Sequence, residues 1–414
     1  MSPPMPSSRH DAIVIGAGLA GLCAAVELAR AGCRPLVVER RATAGGKCGT
    51  VDLDGHRFTV GCNDFGAGVE RDLRALGVDV RFAASTSTAA IGDAVYRTPP
   101  DLRTLVRLAR RLPAIVRLVR AVRARRRPWL ADVLAEDVRD ARVTGLVSML
   151  GYATGTPLEA MATEALAADF SKRWAYGHDR MKVPVGGVEA IVDGLVGRLR
   201  ALGGELRTGV RCSDIHRDGA DRVVVTGDGE LRAPLVLASE RDPAAGGRAG
   251  LSAIQLLLAV RPGFRWPRSR ALVVLPGDPA WLTELDRGAL PEPFGFHLFR
   301  DHAGPSGTTI VGYALAPRGV TVMAPELRAR VERTILDGAE RFVPGLERAL
   351  VFRRLLDPDD YRRLHGLDSA LGAIAASPAA APAPSLDDVR GVHRIGNGFE
   401  APGEHAGAAI RSGL

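Results

Sequence analysis

Residues Gly16-Ala-Gly-Leu-Ala-Gly21, with what flanks them, restrict the fold of this chain more than any other feature. Asp11 to Ile15 is a short buried-strand run, an alanine-rich amphipathic pattern follows the glycines to Ala31, Gly32 stops it, and Pro35 to Glu39 reads as a second strand. Strand, glycine turn, helix and strand form the opening of a parallel βαβ unit. Glycines at this spacing supply a tight turn, let backbone amides approach a pyrophosphate, and allow the helix to pack close to the strand. The helix N-terminus adds partial positive charge. Glu39, at the end of the second strand, can accept both hydroxyl hydrogens of an adenosine ribose and would repel a 2′-phosphate. A dinucleotide other than NADP is therefore expected here.

A chain of 414 residues, 46% hydrophobic and 25% charged, can bury a large core and exceeds one small module. Its apolar stretches, such as the run Ile254 to Val260 interrupted only by Gln255, fall short of the ~20 residues of a membrane-crossing helix. Met1 to His10 is polar and proline-rich, with no apolar run behind it, so a cytoplasmic location is expected. Cys23, Cys33, Cys48, Cys62 and Cys212 are scattered without a CxxC, which fits reduced structural thiols and no metal site. The net charge is +8, yet Lys47, Lys172 and Lys182 are the only lysines. This arginine skew argues against selection for a polyanion, and no nucleic-acid partner is expected. The excess is local, because Asp101 to Arg127 holds ten arginines against one acid.

That basic segment reads as two amphipathic helices broken near Pro113, with Leu102, Leu105, Val106, Ala109 and Leu112, then Ile115, Val116, Leu118, Val119 and Val122, on their apolar sides. Residues 101–127 admit peripheral membrane contact, a solvated charged face, or the lip of a tunnel. The pattern stays helical from Trp129 to Leu166, and Pro184 opens another helix to about Leu202. Glu205 to Ile215, Arg222 to Thr226 and Leu231 to Ser239 read as strands, as do Ala253 to Val260, Ala271 to Leu275, Phe294 to Phe299 and Thr308 to Ala314. A charged helix spans Pro325 to Phe342. Gly391 to Gly396 reads as one more strand, and Glu404 to Ser412 as a final helix.

Six residues after Glu39 come Gly45-Gly46-Lys47 and then Thr50. Glu-x5-Gly-Gly-[Arg/Lys]-x2-Thr after a GxGxxG resembles the second dinucleotide motif of the flavin amine oxidase and phytoene desaturase superfamily. Pro184-Val-Gly-Gly-Val with Leu202-Gly-Gly-Glu-Leu-Arg, Gly396-Asn-Gly, and Gly407-Ala-Ala-Ile-Arg-Ser-Gly are similar to later segments of that superfamily. The resemblance implies an α/β fold in which a Rossmann-like FAD-binding domain is interleaved with an α+β substrate domain. The expected FAD-binding parts are 1–98, 183–245 and 373–414. Residues 99–182 form a helical substrate- or membrane-facing segment, and 246–372 the substrate sheet and helices.

The same resemblance places FAD as cofactor, with Gly16, Ala17, Gly18, Leu19, Ala20 and Gly21 at its pyrophosphate. It puts Glu39 on the adenosine ribose with Arg40 beside it, and Gly45, Gly46 and Lys47 near the phosphates and ribityl chain. Cys212 would bracket adenine through its main chain, and Gly396 and Asn397 would meet the ribityl chain. Asn397 stands where the superfamily usually has aspartate, so a charge is missing there. Asn63, Asp64 and His405 fall near the ring by position, and His178 and Asp179 more remotely, but none is assigned as catalytic. The implied activity is hydride transfer from a largely apolar organic substrate to flavin, with electrons passing to oxygen or another acceptor. Amine oxidation is the enzymatic alternative; it would call for aromatic residues boxing an amine over the flavin, to which Trp174, Tyr176 and Phe296 could contribute. A flavin-bound isomerase or cyclase and a non-enzymatic lipid-binding escort-like protein are the others.

Overall fold

The computed structural model describes residues 8–164, 166, 181–239, 250–371, 386–387, 391–396 and 406–414. The chain opens with β1 (Ser8–Arg9), β2 (Ala12–Ile15), α1 (Leu19–Arg30) and β3 (Pro35–Glu39). Next come β4 (Thr50–Leu53), β5 (His56–Thr59), α2 (Ala67–Ala75), β6 (Phe82–Ala84), β7 (Ser87–Ile91) and β8 (Ala94–Thr98). The helices α3 (Leu102–Arg110), α4 (Leu112–Arg123) and α5 (Ala141–Thr154) precede β9 (Lys182–Pro184) and α6 (Glu189–Ala201). Then β10 (Glu205–Thr208), β11 (Cys212–Asp218), β12 (Asp221–Thr226), β13 (Gly229–Ala233) and β14 (Leu235–Ser239) return the chain to the first sheets. The second half holds β15 (Ala253–Val260), β16 (Ala271–Leu275), α7 (Ala280–Asp286), β17 (Phe296–Gly304), β18 (Gly307–Leu315), α8 (Pro325–Glu340), β19 (Leu350–Leu356) and α9 (Pro358–His365). It closes with β20 (Leu386–Asp387), β21 (Val392–Ile395) and α10 (Ala406–Gly413).

Strands in the order β10-β3-β2-β14-β21-β20 make one sheet, parallel except for its last pair. A parallel sheet is covered on both faces. Here α1, α2, α6 and α10 pack one face through Val14, Leu22, Val26, Leu73, Ile191, Leu195, Ile395 and Ile410. The four-stranded sheet β1-β13-β12-β11 covers the other through Ile13, Leu36, Val38, Ile215, Val224 and Val236. The result is the expected Rossmann-like three-layer unit.

A seven-stranded sheet, ordered β19-β15-β18-β17-β16-β7-β8, forms the second body. One face, carrying Ile254, Leu256, Leu258, Phe296, Leu298 and Ile310, packs against α7 and α8. The opposite face brings Ala253, Leu257, Val311 and Tyr313 against Phe58 of the β4–β5 hairpin. Alternation along each strand thus separates a helix-covered side from one that looks toward the first domain.

Several expectations change in position. Residues 87–98, assigned to the first FAD-binding part, form the hairpin β7–β8 and pair in parallel with β16 in the second sheet. The run from 205 to 215 is two strands in different sheets, because the chain turns out of β10 at Gly209, whose N–H bonds the Arg41 carbonyl. Leu231 to Ser239 likewise divides at Pro234, which has no N–H to continue a ladder. The helical pattern from Trp129 to Leu166 breaks at Arg139, where Asp140 caps α5 by accepting hydrogen bonds from the backbone N–H groups of Arg142 and Val143 at 3.0 and 3.1 Å. Pro184 ends a strand, and the following helix begins only at Glu189, after the two glycines.

Candidate functional site

At the turn after β2 the three glycines do different jobs. A Cβ on Gly21 would sit 1.9 Å from the Gly16 carbonyl oxygen, so only glycine lets α1 approach the strand this closely. At Gly18 a Cβ would meet nothing within 4 Å, which leaves open space over the start of α1. The helix has neither a side-chain cap nor an acid in its first turn. Its first backbone N–H groups therefore face that space without an intrahelical partner.

Glu39 is buried at the tip of β3 and accepts hydrogen bonds from the Ala17 N–H at 2.8 Å and the Arg41 N–H at 2.9 Å. Its carboxylate lies against the glycine turn, with lone pairs left for further donors. The second glycine pair closes on the first: Gly45 N–H donates to Ala17 O at 2.7 Å, and a Cβ on Gly46 would lie 3.2 Å from Gly18 Cα. Arg41 pins this loop by donating to Gly46 O at 3.0 Å. Leu19 and Ala20 are buried, so their contribution to a ligand is confined to the backbone. These features fit the diphosphate and ribose of a dinucleotide.

Other predicted residues take less direct positions. Arg40 donates to the Gly366 carbonyl, and Lys47 Nζ donates to the Ala370 carbonyl at 3.3 Å, so both tie the motif to the segment after α9. Cys212 begins β11, two residues beyond Val210, whose N–H bonds Glu39 O at 2.9 Å. Its main chain is thereby near Glu39 at the tip of β3, and its thiol donates to Asp214 O at 3.5 Å. The Gly396 N–H donates to Ser412 Oγ at 2.9 Å, which joins the end of β21 to α10. A Cβ on Gly413 would lie 2.3 Å from Ala20 O, so α10 rests directly on α1. Asn397, His405, Trp174, Tyr176, His178 and Asp179 lie outside the described residues.

Two sequence candidates are corrected. Asp64 is not free to face a ring: Arg270 Nη1 binds it at 2.7 Å and Ser85 Oγ donates to it at 3.0 Å, while burial raises its carboxyl above the usual range. Phe296 is on the helix-covered side of its sheet, against Gly338, and cannot form part of an aromatic box on the other side.

The side facing the first domain carries polar groups of which the sequence singled out only Asn63. Tyr313 donates to Asn63 Oδ1 at 2.8 Å, while the buried Asn63 Nδ2 has no partner among the described residues. Gln255 donates to Val60 O at 2.9 Å, so its oxygen accepts from His365 Nε2 at 2.9 Å. That leaves His365 Nδ1 as an unprotonated, buried acceptor. Burial, assisted by Arg41, lowers His365 to a pKa of about 4 and keeps it neutral. Tyr152 joins His297 at 2.6 Å, and burial lowers that histidine to about 3. A cleft of about 640 Å³ lined by Thr88, Arg97, Trp266, Arg268 and Phe342 lies elsewhere, along β7 and β16, and includes no residue of the glycine turn.

Residues 14–76 match the model of the NAD(P)-binding Rossmann-like domain. Pseudooxynicotine dehydrogenase from a Pseudomonas species is 48% identical over 52 residues, 13% of this chain and 10% of that protein. Phytoene desaturase from Fusarium fujikuroi is 40% identical over 57 residues, 14% of this chain and 10% of that protein. The sequence matches thus span about a tenth of these relatives' length. Over the whole fold, putrescine oxidase bound to putrescine superposes with a TM-score of 0.67 at 18% identity, covering 99% of this chain and 98% of that one. The resemblance read from the sequence is borne out in the N-terminal motif and in the fold.

Proposed function

We propose that this chain, with the fold of the amine-oxidase-type oxidoreductases, is an FAD-dependent enzyme that removes a hydride from a largely apolar organic substrate. The observation that carries the reading is the convergence of Gly18, Glu39 and Gly46 on one open turn at the start of α1. Bound there, the flavin would supply the hydride acceptor, and oxygen or another acceptor would remove the electrons. The first amides of α1 would hold the diphosphate, and Glu39 the adenosine ribose hydroxyls. The Cys212 main chain would border adenine, with Lys47 near the phosphates and Gly396 and Asn397 toward the ribityl chain.

Ala253, Leu257, Val311, Phe58 and Tyr313 pack together as a buried apolar cluster where the second sheet meets the β4–β5 hairpin. Within the polar layer beside it, Asn63 Nδ2 is a donor and His365 Nδ1 an acceptor without a partner among the described residues. Neither Asp64 nor Asp301 is available as a base, since Arg270 and Thr59 hold them.

The visible spectrum of the purified protein, before and after anaerobic addition of candidate substrates, tests this reading. A flavin spectrum that bleaches with an apolar substrate is expected. Folded protein that is colourless and takes up no FAD on reconstitution would overturn it. Ammonia release would move the reading to amine oxidation, and anaerobic turnover without an acceptor would move it to isomerisation.

A further inference from the structure

Helix α3 is inside out. Its one buried residue is Thr104, whose hydroxyl accepts from the Arg97 N–H at 3.0 Å and whose N–H bonds Asp101 at 2.8 Å. Facing away are Leu102, 76% exposed, Leu105, 50%, and Val106, 41%; Leu112, at the start of α4, is 57% exposed. At helical spacing 102, 105, 106 and 109 form one stripe, opposite Thr104. A helix that buries Thr104 and turns two of its three leucines, with Val106, to solvent leaves unburied much of the surface that normally drives its packing.

Charge identifies what that surface meets. Arg103 and Arg110 on α3, Arg120 and Arg123 on α4, and Arg126 beyond it are exposed and have no ion pair among the described residues. Their neighbours are already satisfied: Arg97 pairs with Asp101, Arg111 with Asp140, Arg125 with Glu164, and Arg127 with Glu136 and Asp137. Arg103 and Arg110 thus flank the exposed apolar stripe on α3 itself, and Arg120, Arg123 and Arg126 add exposed, unpaired positive charge farther along the chain. A second copy docked face to face would set these arginines against their own counterparts. An anionic surface with an apolar interior answers both features, and among the described residues no helix is long and apolar enough to cross a membrane.

We propose that α3 and the first turn of α4 dock this protein on an anionic lipid bilayer, with Leu102, Leu105, Val106 and Leu112 entering the interface and the unpaired arginines meeting lipid phosphates. This goes beyond the redox reading and does not depend on it.

The test is flotation of the full chain with vesicles of phosphatidylcholine alone or mixed with phosphatidylglycerol, at low and high salt. Three proteins are compared: the natural chain, Leu102→Ser with Leu105→Ser, and Arg103→Gln with Arg110→Gln, Arg120→Gln and Arg123→Gln. Every substituted side chain is exposed, and matched thermal melts check folding. The natural chain is expected to float with the anionic vesicles and to release with salt. Binding should fall about fivefold for each arginine removed, and the leucine variant should bind less at either salt. The proposal fails if the natural chain stays unbound at low salt or binds both vesicle types equally. It also fails if the leucine variant floats as well as the natural chain. A natural chain that sediments as a dimer, and becomes monomeric in the leucine variant, would assign the stripe to self-association instead.

Discussion

Gly21 shows how much rests on a single hydrogen atom. A methyl group there would overlap the Gly16 carbonyl, so Gly21→Ala must push α1 away from β2. Overpacking of this kind costs about 1–3 kcal/mol. We expect a lowered melting temperature together with weakened dinucleotide uptake, measured by thermal unfolding with and without FAD. Restoration of the melting temperature by FAD to the natural holoprotein's value would refute a role in ligand approach. His365 gives a second prediction at this scale. Its ordinary pKa of 6.5 falls to about 4 on folding, so between those values the unfolded chain takes up a proton that the folded chain refuses. The stabilisation is complete above 6.5 and is lost as pH falls, at up to ~1.4 kcal/mol per pH unit. Urea unfolding of the natural chain and of His365→Gln should show the difference in stability shrinking as acid is added through that window. A constant difference would mean that His365 already titrates normally. The glycines and Glu39 were legible because their spacing is local. Gln255 and His365 were not, because β15 and α9 bring them together only in the folded molecule.

Among the elements, α10 and α1 depend on each other through small residues. The close approach of Gly413 to Ala20 means that Gly413→Val should lift α10 and disturb the Ser412 bond to Gly396. The expected result is increased protease sensitivity near residue 406 and weaker FAD retention, read by limited proteolysis and by filtrate fluorescence. Unchanged protection and retention would show that α10 tolerates displacement. On α5, Tyr152→Phe removes the hydroxyl shared by His297 and the Tyr313 carbonyl. Loss of these buried hydrogen bonds should cost about 1–3 kcal/mol in denaturant unfolding, and no measurable loss would mean that water replaces the hydroxyl. Periodicity located most of the strands and long helices. It did not reveal which sheet each strand joins: Gly209 and Pro234 interrupt ladders that otherwise read as continuous, and β7–β8 pairs with a strand far along the chain.

The whole molecule is built by a chain that passes repeatedly between two sheets. It leaves the parallel sheet after β3, contributes β7–β8 to the other, returns for β10 and β14, leaves again for β15 to β19, and comes back with β21. Neither sheet can be completed from one continuous stretch. Thermal unfolding should therefore follow one cooperative transition, despite the two-body architecture. Coincident far-ultraviolet and tryptophan signals would agree with this, and a separately melting half would contradict it. Fold class and interleaving were readable from the glycine turn and the later glycine-rich segments. The inverted orientation of α3 was not, since an apolar stripe looks the same in sequence whichever way it faces.

The dependence of the first turn on α10 has a bearing on biosynthesis. A nascent polypeptide offers Gly16 to Gly21 early, yet the support that α10 gives α1 arrives only when residues 406–413 have emerged. Any dinucleotide taken up at that turn would thus be sealed in only after translation has reached α10.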